Sequence, residues 1–329
     1  MNPLSALYRA GIDIRNRLYD RGTLGANWLQ APVVSVGSIS AGGAGKTPFL
    51  IMLGELLEQR GLGFDVLSRG YGRRTKGVAL VDPQGSPQEF GDEPLLIARK
   101  LGVPVIVGED RFAAGKFAEE EFGVQAHLLD DGFQHRRLQR DFDIALVTKQ
   151  DLNDSLLPVG RLREPLSSLA RASAIVLMDD VAADHVPVRE GQYVWRVSRS
   201  IVPPKTSEAC FAFCGIARPK IFFAGLGQAG VRVAGTREFR DHHAYSAVDI
   251  QLLLRLRQES GATTFVTTEK DAVNLGSCLS QLEPIHVVRV HMKFEDATES
   301  GAGTGEVFAS PAALLYDLIA RQSQGRVRE

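Results

Sequence analysis

A chain of 329 residues is long enough for two domains that each bury a core, and 44% hydrophobic with 23% charged residues is the balance of ordinary globular protein, not of disordered sequence. A formal net charge of −1 gives no general pull on a polyanion, which excludes nucleic acid as the expected partner. Three cysteines, Cys210, Cys214 and Cys278, make no C-x-x-C pair and are too few for a disulfide framework, and no apolar run is long enough to span a bilayer. The expected setting is therefore the cytosol or a membrane surface, where the N-x-S at Asn153 is a chance match.

Residues 1–22 form the first unit. Leu4, Leu7, Gly11, Ile14 and Leu18 recur at heptad spacing, and Tyr8, Ile12 and Tyr19 widen the stripe. The other face carries Arg9, Arg15, Arg17 and Arg21 against Asp13 and Asp20. Such an amphipathic helix either packs on its own domain or lies on a membrane surface, and the pattern fits both.

A first domain is expected over residues 23–185. Its opening strand, from Val33, runs into a glycine-rich turn and a helix: VVSVGSISAGGAGKTP. Gly42, Gly43 and Gly45 allow close backbone approach to a triphosphate, Lys46 brings an ammonium to the β/γ oxygens, and Thr47 offers a hydroxyl to Mg2+. Ser40, Ala41 and Ala44 complete the loop; Ser40 stands where the common pattern has glycine. Phe49, Leu50, Leu53, Leu56 and Leu57 continue as the helix whose N-terminal dipole faces the phosphates. Next comes a strand over 63–68 followed by Arg69-Gly-Tyr71-Gly72-Arg73, a loop suited to phosphate or sugar contact and equally to a solvated turn. Gly91-Asp92-Glu93-Pro94 opens a helix, and spacing alone makes Asp92 its N-cap. After the strand PVIVG, the segment AHLLDDGFQ is the second strong signal. A strand ending in Asp130 and Asp131 downstream of a phosphate loop is placed to hold Mg2+, since adjacent carboxylates repel unless a cation lies between them. Two further strands, DIALV and AIVLM, flank the loop PVGRLREP, giving alternating strands and helices.

From Val186 the chain becomes extended and broken by prolines, and a second, smaller α/β domain is expected over residues 186–300, with strands CFAFCGI, VRVAG, TTFVTT and IHVVRV. Its polar signatures are Arg240-Asp241-His242-His243 and Thr268-Glu269-Lys270-Asp271; paired histidines alone do not make a zinc site. Glu295 to Glu306 is an acidic small-residue loop, and residues 301–329 end in a helix that could return to the first domain.

The motifs SAGGAGKTP, SRGYGR, FGDEP, LLDDGFQH, GRLREP, FRDHHAY and TEKDAV occur together and in this order, and by them the chain resembles the tetraacyldisaccharide 4′-kinases of lipid A synthesis. The resemblance implies a P-loop NTPase-like, mostly parallel sheet domain joined to a smaller α/β domain. It implies transfer of the γ-phosphoryl group of ATP to the 4′-hydroxyl of an acylated glucosamine disaccharide 1-phosphate. The expected location is the cytoplasmic face of the bacterial inner membrane, peripheral or monotopic, and the expected state is a monomer. Ser40 fits that family's loop. Asp92 becomes the base for the sugar hydroxyl, oriented by His242. Arg163 and Arg111 would stabilise charge on the transferring group, Glu164 joins Thr47, Asp130 and Asp131 as a magnesium candidate, and Arg69, Tyr71, Gln134 and His135 would line the cleft. The rival reading is a membrane-bound ATPase switch of the ParA and MinD kind, whose signature lysine would stand where this chain has Ala41.

Overall fold

A computed structural model describes residues 3–178, 181–295 and 311–326. Short runs rich in Val, Ile and Leu that are buried on both faces pair as parallel strands, because helices cover either side of the sheet. In chain order the strands are β1 (Val33–Ser38), β2 (Phe64–Ser68), β3 (Ala79–Leu80), β4 (Val105–Val107), β5 (Ala126–Asp130), β6 (Phe142–Val147), β7 (Ala174–Met178) and β8 (Tyr193–Ile201), of which β3 pairs antiparallel with β4 and β8 is only half-buried. A second set follows: β9 (Cys210–Cys214), β10 (Val233–Glu238), β11 (Thr264–Thr268) and β12 (Ile285–Val288), with β13 (Val290–Phe294) after it. The helices are α1 (Pro3–Asp20), α2 (Lys46–Glu58), α3 (Pro87–Phe90), α4 (Asp92–Lys100), α5 (Arg111–Phe122), α6 (Pro219–Gln228), α7 (Ala247–Glu259), α8 (Glu269–Leu275) and α9 (Pro311–Arg326).

The large sheet runs β13-β8-β7-β6-β1-β5-β2-β4-β3 and the small one β10-β9-β11-β12. In the large sheet β1 lies between β5 and β6, so the chain leaves β1 toward one side and later builds the other. The crevice at the carboxyl end of β1 is thus a topological switch point, where open α/β sheets take their ligands. The phosphate loop sits there. Phe49, Leu50, Leu53 and Leu57 of α2 pack with Leu95 and Ile97 of α4 in the main core, and α9 adds Leu314, Leu315 and Ile319 to it.

The sheets do not divide at Val186. β8 pairs parallel with β7 through Ala174↔Tyr193, and β13 returns to pair antiparallel with β8 through Val290↔Ile201, so both strands belong to the first sheet. The second lobe's own sheet begins at Cys210. The stretch reads as a linker because β8 is covered only at alternate positions and lacks the continuous apolar run of its neighbours. The acidic loop expected to Glu306 lies, beyond Glu295, outside the described residues.

Helix α1 is held through its polar side chains. Ser5 donates to the Leu156 carbonyl at 3.1 Å, Tyr8 to the Arg163 carbonyl at 3.1 Å and Arg15 to the Gln134 carbonyl at 2.5 Å. Leu4, Leu7 and Ile14 remain 61%, 73% and 59% exposed, which leaves the apolar stripe facing outward instead of inward. Among the described residues no helix is long and apolar enough to cross a membrane.

Candidate active site

The two lobes face each other across a cleft of about 1660 Å³, more than a single drug-sized ligand needs. Every residue expected in the site lines this cleft except Ser40 and Glu164.

The phosphate loop takes its shape from Gly42, Gly43 and Gly45, all at positive φ (72°, 74° and 84°), a conformation that a side chain would strain. Gly45 caps α2, so Lys46 and Thr47 open that helix with its unpaired N–H groups toward the cleft. Ser40 is sealed beneath the loop, bridged through its backbone to Leu162; its burial keeps its hydroxyl from the cleft.

Opposite lies the end of β5. Lys46 Nζ is 3.4 Å from Asp131 Oδ1, and Arg163 reaches Asp131 Oδ2 at 2.8 Å and Gln134 Oε1 at 3.1 Å. Burial works against ionising Asp131, but Lys46 and Arg163 more than offset it and hold the carboxyl below its ordinary range. Asp130 goes the other way, pushed up to about 7 by burial and by the charges of Glu93 and Asp131. One Asp130 oxygen accepts from Ser68 at 2.9 Å, while Oδ1 is buried without a hydrogen-bond partner. A buried orphan carboxylate oxygen, a second carboxylate and the Thr47 hydroxyl form a hard oxygen set, which fits Mg2+ completed by phosphate oxygens and water.

Glu164 does not join that set. It is fully buried, with both oxygens taken by Arg171 at 2.7 Å and a further bond from Asn16 at 3.0 Å. Arg171 in turn stacks over the Phe133 ring at 3.7 Å and donates to the Phe133 carbonyl at 3.0 Å. This ion pair fixes the loop under α1, so the carboxylate is satisfied where it stands. Glu164→Gln leaves a largely buried guanidinium without its counter-charge, and denaturation should record a loss of about 3–5 kcal/mol.

Asp92 is not the N-cap of α4. That place belongs to Gly91, at φ 91°, where an added Cβ would meet the Tyr71 carbonyl oxygen at 3.0 Å. Asp92 is instead the first helical residue, 4% exposed, and its carboxylate turns to the second lobe. His242 Nδ1 lies 3.0 and 2.8 Å from its two oxygens, and Asn274 donates to it at 3.0 Å. A pair split between lobes could stand apart in an open form; here it is in contact. Burial raises the Asp92 pKa, but the His242 hydrogen bond, Lys270 and Asn274 together pull it down to about 2. For His242, burial and the Lys270 ammonium lower the pKa, and the Asp92 carboxylate raises it above the ordinary value. Asp131 (φ 49°) and His242 (φ 56°) are the two non-glycine residues at positive φ among those described, and both stand at this site.

The remaining expected residues line the same cleft. Arg111 is buried, with Nε lacking a partner, and Arg69 and the half-buried His135 stand on the same side of the cleft. Burial, then Arg111 and Arg140, push His135 down to about 4, so its ring is neutral near pH 7. Tyr71 is 64% exposed, its ring 5.1 Å from that of His242. Sequence reasoning passed over Lys270 and Asn274 of α8, and also Arg218. Arg218 crosses from the second lobe to Thr148, Gln150 and Asp151 at 2.7, 2.9 and 3.0 Å, and its stem lies against Gly43. The TEKD motif was the available signal for the first two; nothing in the sequence pointed to Arg218.

A family model described as Tetraacyldisaccharide-1-P 4′-kinase matches residues 1–302. The chain belongs to that family. A tetraacyldisaccharide 4′-kinase of Koribacter versatilis is 50% identical, over 90% of this chain and 95% of its own length. Another, from Halorhodospira halophila, is 37% identical over 99% and 94%. A crystal structure of LpxK from Aquifex aeolicus in complex with ATP is 34% identical, covers 97% of either chain and superposes with a TM-score of 0.75. Kinase activity in lipid A synthesis comes with membership of the tetraacyldisaccharide-1-P 4′-kinase family, and nothing in these comparisons favours a switch of the ParA and MinD kind.

Proposed function

We propose that this kinase binds ATP on the 40–47 loop and transfers its γ-phosphoryl group to the 4′-hydroxyl of an acylated glucosamine disaccharide 1-phosphate, with Asp92 as the base. The observation that carries this reading is the meeting of Lys46 and the Asp92–His242 pair in one cleft, with His242 contributed by the second lobe. Lys46 and Arg163, both now against Asp131, are proposed to take up charge on the transferring group, assisted by Arg111, which lines the same cleft within electrostatic reach of Asp130 and Asp131. Mg2+, when bound, would be held by Asp130, Asp131 and Thr47 and would neutralise charge on the β- and γ-phosphates.

A carboxylate held near pKa 2 cannot deprotonate a sugar hydroxyl in advance of attack. Phosphoryl transfer through a loose transition state does not ask it to: the hydroxyl proton becomes acidic as its oxygen bonds to phosphorus, and Asp92 then accepts it. His242 keeps the carboxylate aimed. Arg69, Tyr71, Gln134 and His135 are the proposed sugar and phosphate contacts. ATP turnover should depend on a disaccharide 1-phosphate lipid in detergent; turnover that ignores the acceptor would favour an ATPase instead.

We further propose that the protein works as a monomer at the cytoplasmic face of the inner membrane, with α1 lying on the lipid surface. The support is an apolar stripe left outward while polar contacts do the packing, continued by Trp28 at 62% exposure. Replacing Leu4, Leu7 and Ile14 together by Ser leaves the Ser5, Tyr8 and Arg15 side-chain contacts in place. Binding to anionic vesicles should fall at least about tenfold, given the apolar area withdrawn. The KM for acceptor presented in lipid should rise with it, and unchanged vesicle binding would return α1 to a purely structural role.

A further inference from the structure

The TEKD motif places Lys270 where the proposed mechanism has not yet used it. Thr268 caps α8, its hydroxyl accepting from the Asp271 N–H, and the buried Asp271 carboxylate accepts from the Gly215 N–H at 2.7 Å, Tyr245 at 2.7 Å and the Thr268 hydroxyl at 2.6 Å. These bonds lock the start of α8 to the loops that carry His242. Lys270 then extends to His242 Nε2 at 3.2 Å, Glu93 at 3.1 Å, Asp241 at 3.4 Å and Asp92 at 3.8 Å, with its side chain 16% exposed.

An ammonium has three donors and no acceptor, so where the Lys270 contact with Nε2 is a hydrogen bond the imidazole nitrogen is the acceptor. The ring proton then sits on Nδ1, which faces Asp92. We propose that Lys270 is the positioning residue of the Asp92–His242 pair, its ammonium fixing the ring from the Nε2 side while its contact with Glu93 ties α8 of one lobe to α4 of the other. The inference rests on the reading of Asp92 as the base.

The charges around the pair make the role specific. Asp92 and Glu93 face the imidazole from α4, Asp241 from its own loop with an oxygen 3.8 Å from Nε2, Lys270 and Asn274 from α8, and the Tyr71 ring from the loop after β2. Lys270 is the cation of this group. Asp92 and Glu93 already hold the ring above its ordinary value against the Lys270 charge; without that charge the imidazolium is favoured further, and Asp92 is tied more firmly in an ion pair when it is needed for the hydroxyl proton. Burial acts against the ammonium, yet Glu93, Asp92 and Asp241 hold Lys270 protonated well above the ordinary lysine range.

The test uses the full chain and two readouts: the His242 titration followed by 15N NMR of histidine-labelled protein without substrate, and the pH dependence of kcat with ATP and disaccharide 1-phosphate in detergent. In Lys270→Met the His242 midpoint and the acid limb of kcat should both move up by about one pH unit or more. In Lys270→Arg, which keeps the charge, both should stay near wild type. Should the methionine variant fail to fold, Lys270→Gln keeps a donor toward Glu93 without the charge and gives the same reading. A folded, uncharged variant with both midpoints unmoved overturns the proposal. Asp92→Asn run in parallel separates the two claims, because wild-type turnover in that variant defeats the base assignment while the NMR midpoint still decides what Lys270 does.

Discussion

Asp92→Asn and His242→Ala should each lower kcat by about 10²–10⁴, the range that a positioned proton acceptor contributes. The double variant should fall scarcely below the worse single one. The reason is geometric. The His242 imidazole lies 2.8 Å from Asp92 against 3.8 Å from Asp241, so its proposed catalytic effect passes through Asp92. Residues that act as one unit lose their joint contribution once, and the second substitution finds nothing left to remove. ATP affinity should survive in all three proteins, because the 40–47 loop is independent of either side chain. Steady-state kinetics beside ATP titration checks this. Losses that multiply would make His242 an independent contact to sugar or phosphate.

Lys46→Ala should abolish most phosphoryl transfer, with kcat/KM reduced by about 10²–10³ or more, as when a preorganised donor is taken from a developing charge. The fold should persist. Asp131 keeps Arg163 at 2.8 Å after Lys46 is gone, and α2 is anchored by Phe49, Leu50 and Leu53 in the core and not by its first residue. A melting curve near that of the wild type, measured with the kinetics, separates lost chemistry from lost structure. Turnover near the wild-type rate would remove the lysine from the mechanism.

The local signals in the sequence were strong where one short segment carries the whole physical requirement. A β-branched run feeding Gly42 to Thr47 has few uses besides a phosphate loop, and Asp130-Asp131 at a strand end needs a cation nearby, which Lys46 and Arg163 supply. Requirements shared between distant segments were not legible. β8 reads as a linker because its partner β13 lies some 90 residues further on, and an alternating half-buried strand shows its purpose only once that partner is found. Glu164 stands beside Arg163 in a charged loop, and no pattern distinguishes a carboxylate facing phosphate from one buried against Arg171. Asp92 at a helix start invites the reading of a cap until Gly91, at φ 91°, is seen to take that place. Lys270 is the same case in the second lobe, since each of its partners outside its own lobe, Glu93 and Asp92, is about 180 residues away.

In the proposed reaction the cleft joins ATP to one particular hydroxyl. Incubation of the purified protein with γ-labelled ATP, Mg2+ and an acylated glucosamine disaccharide 1-phosphate in detergent, followed by NMR location of the new phosphate, tests it most directly. One labelled phosphomonoester on the 4′-oxygen is expected, formed in step with ADP and lost in Asp92→Asn. Label released as inorganic phosphate at the same rate with or without the lipid, or carried on another oxygen of the acceptor, would contradict the proposed reaction.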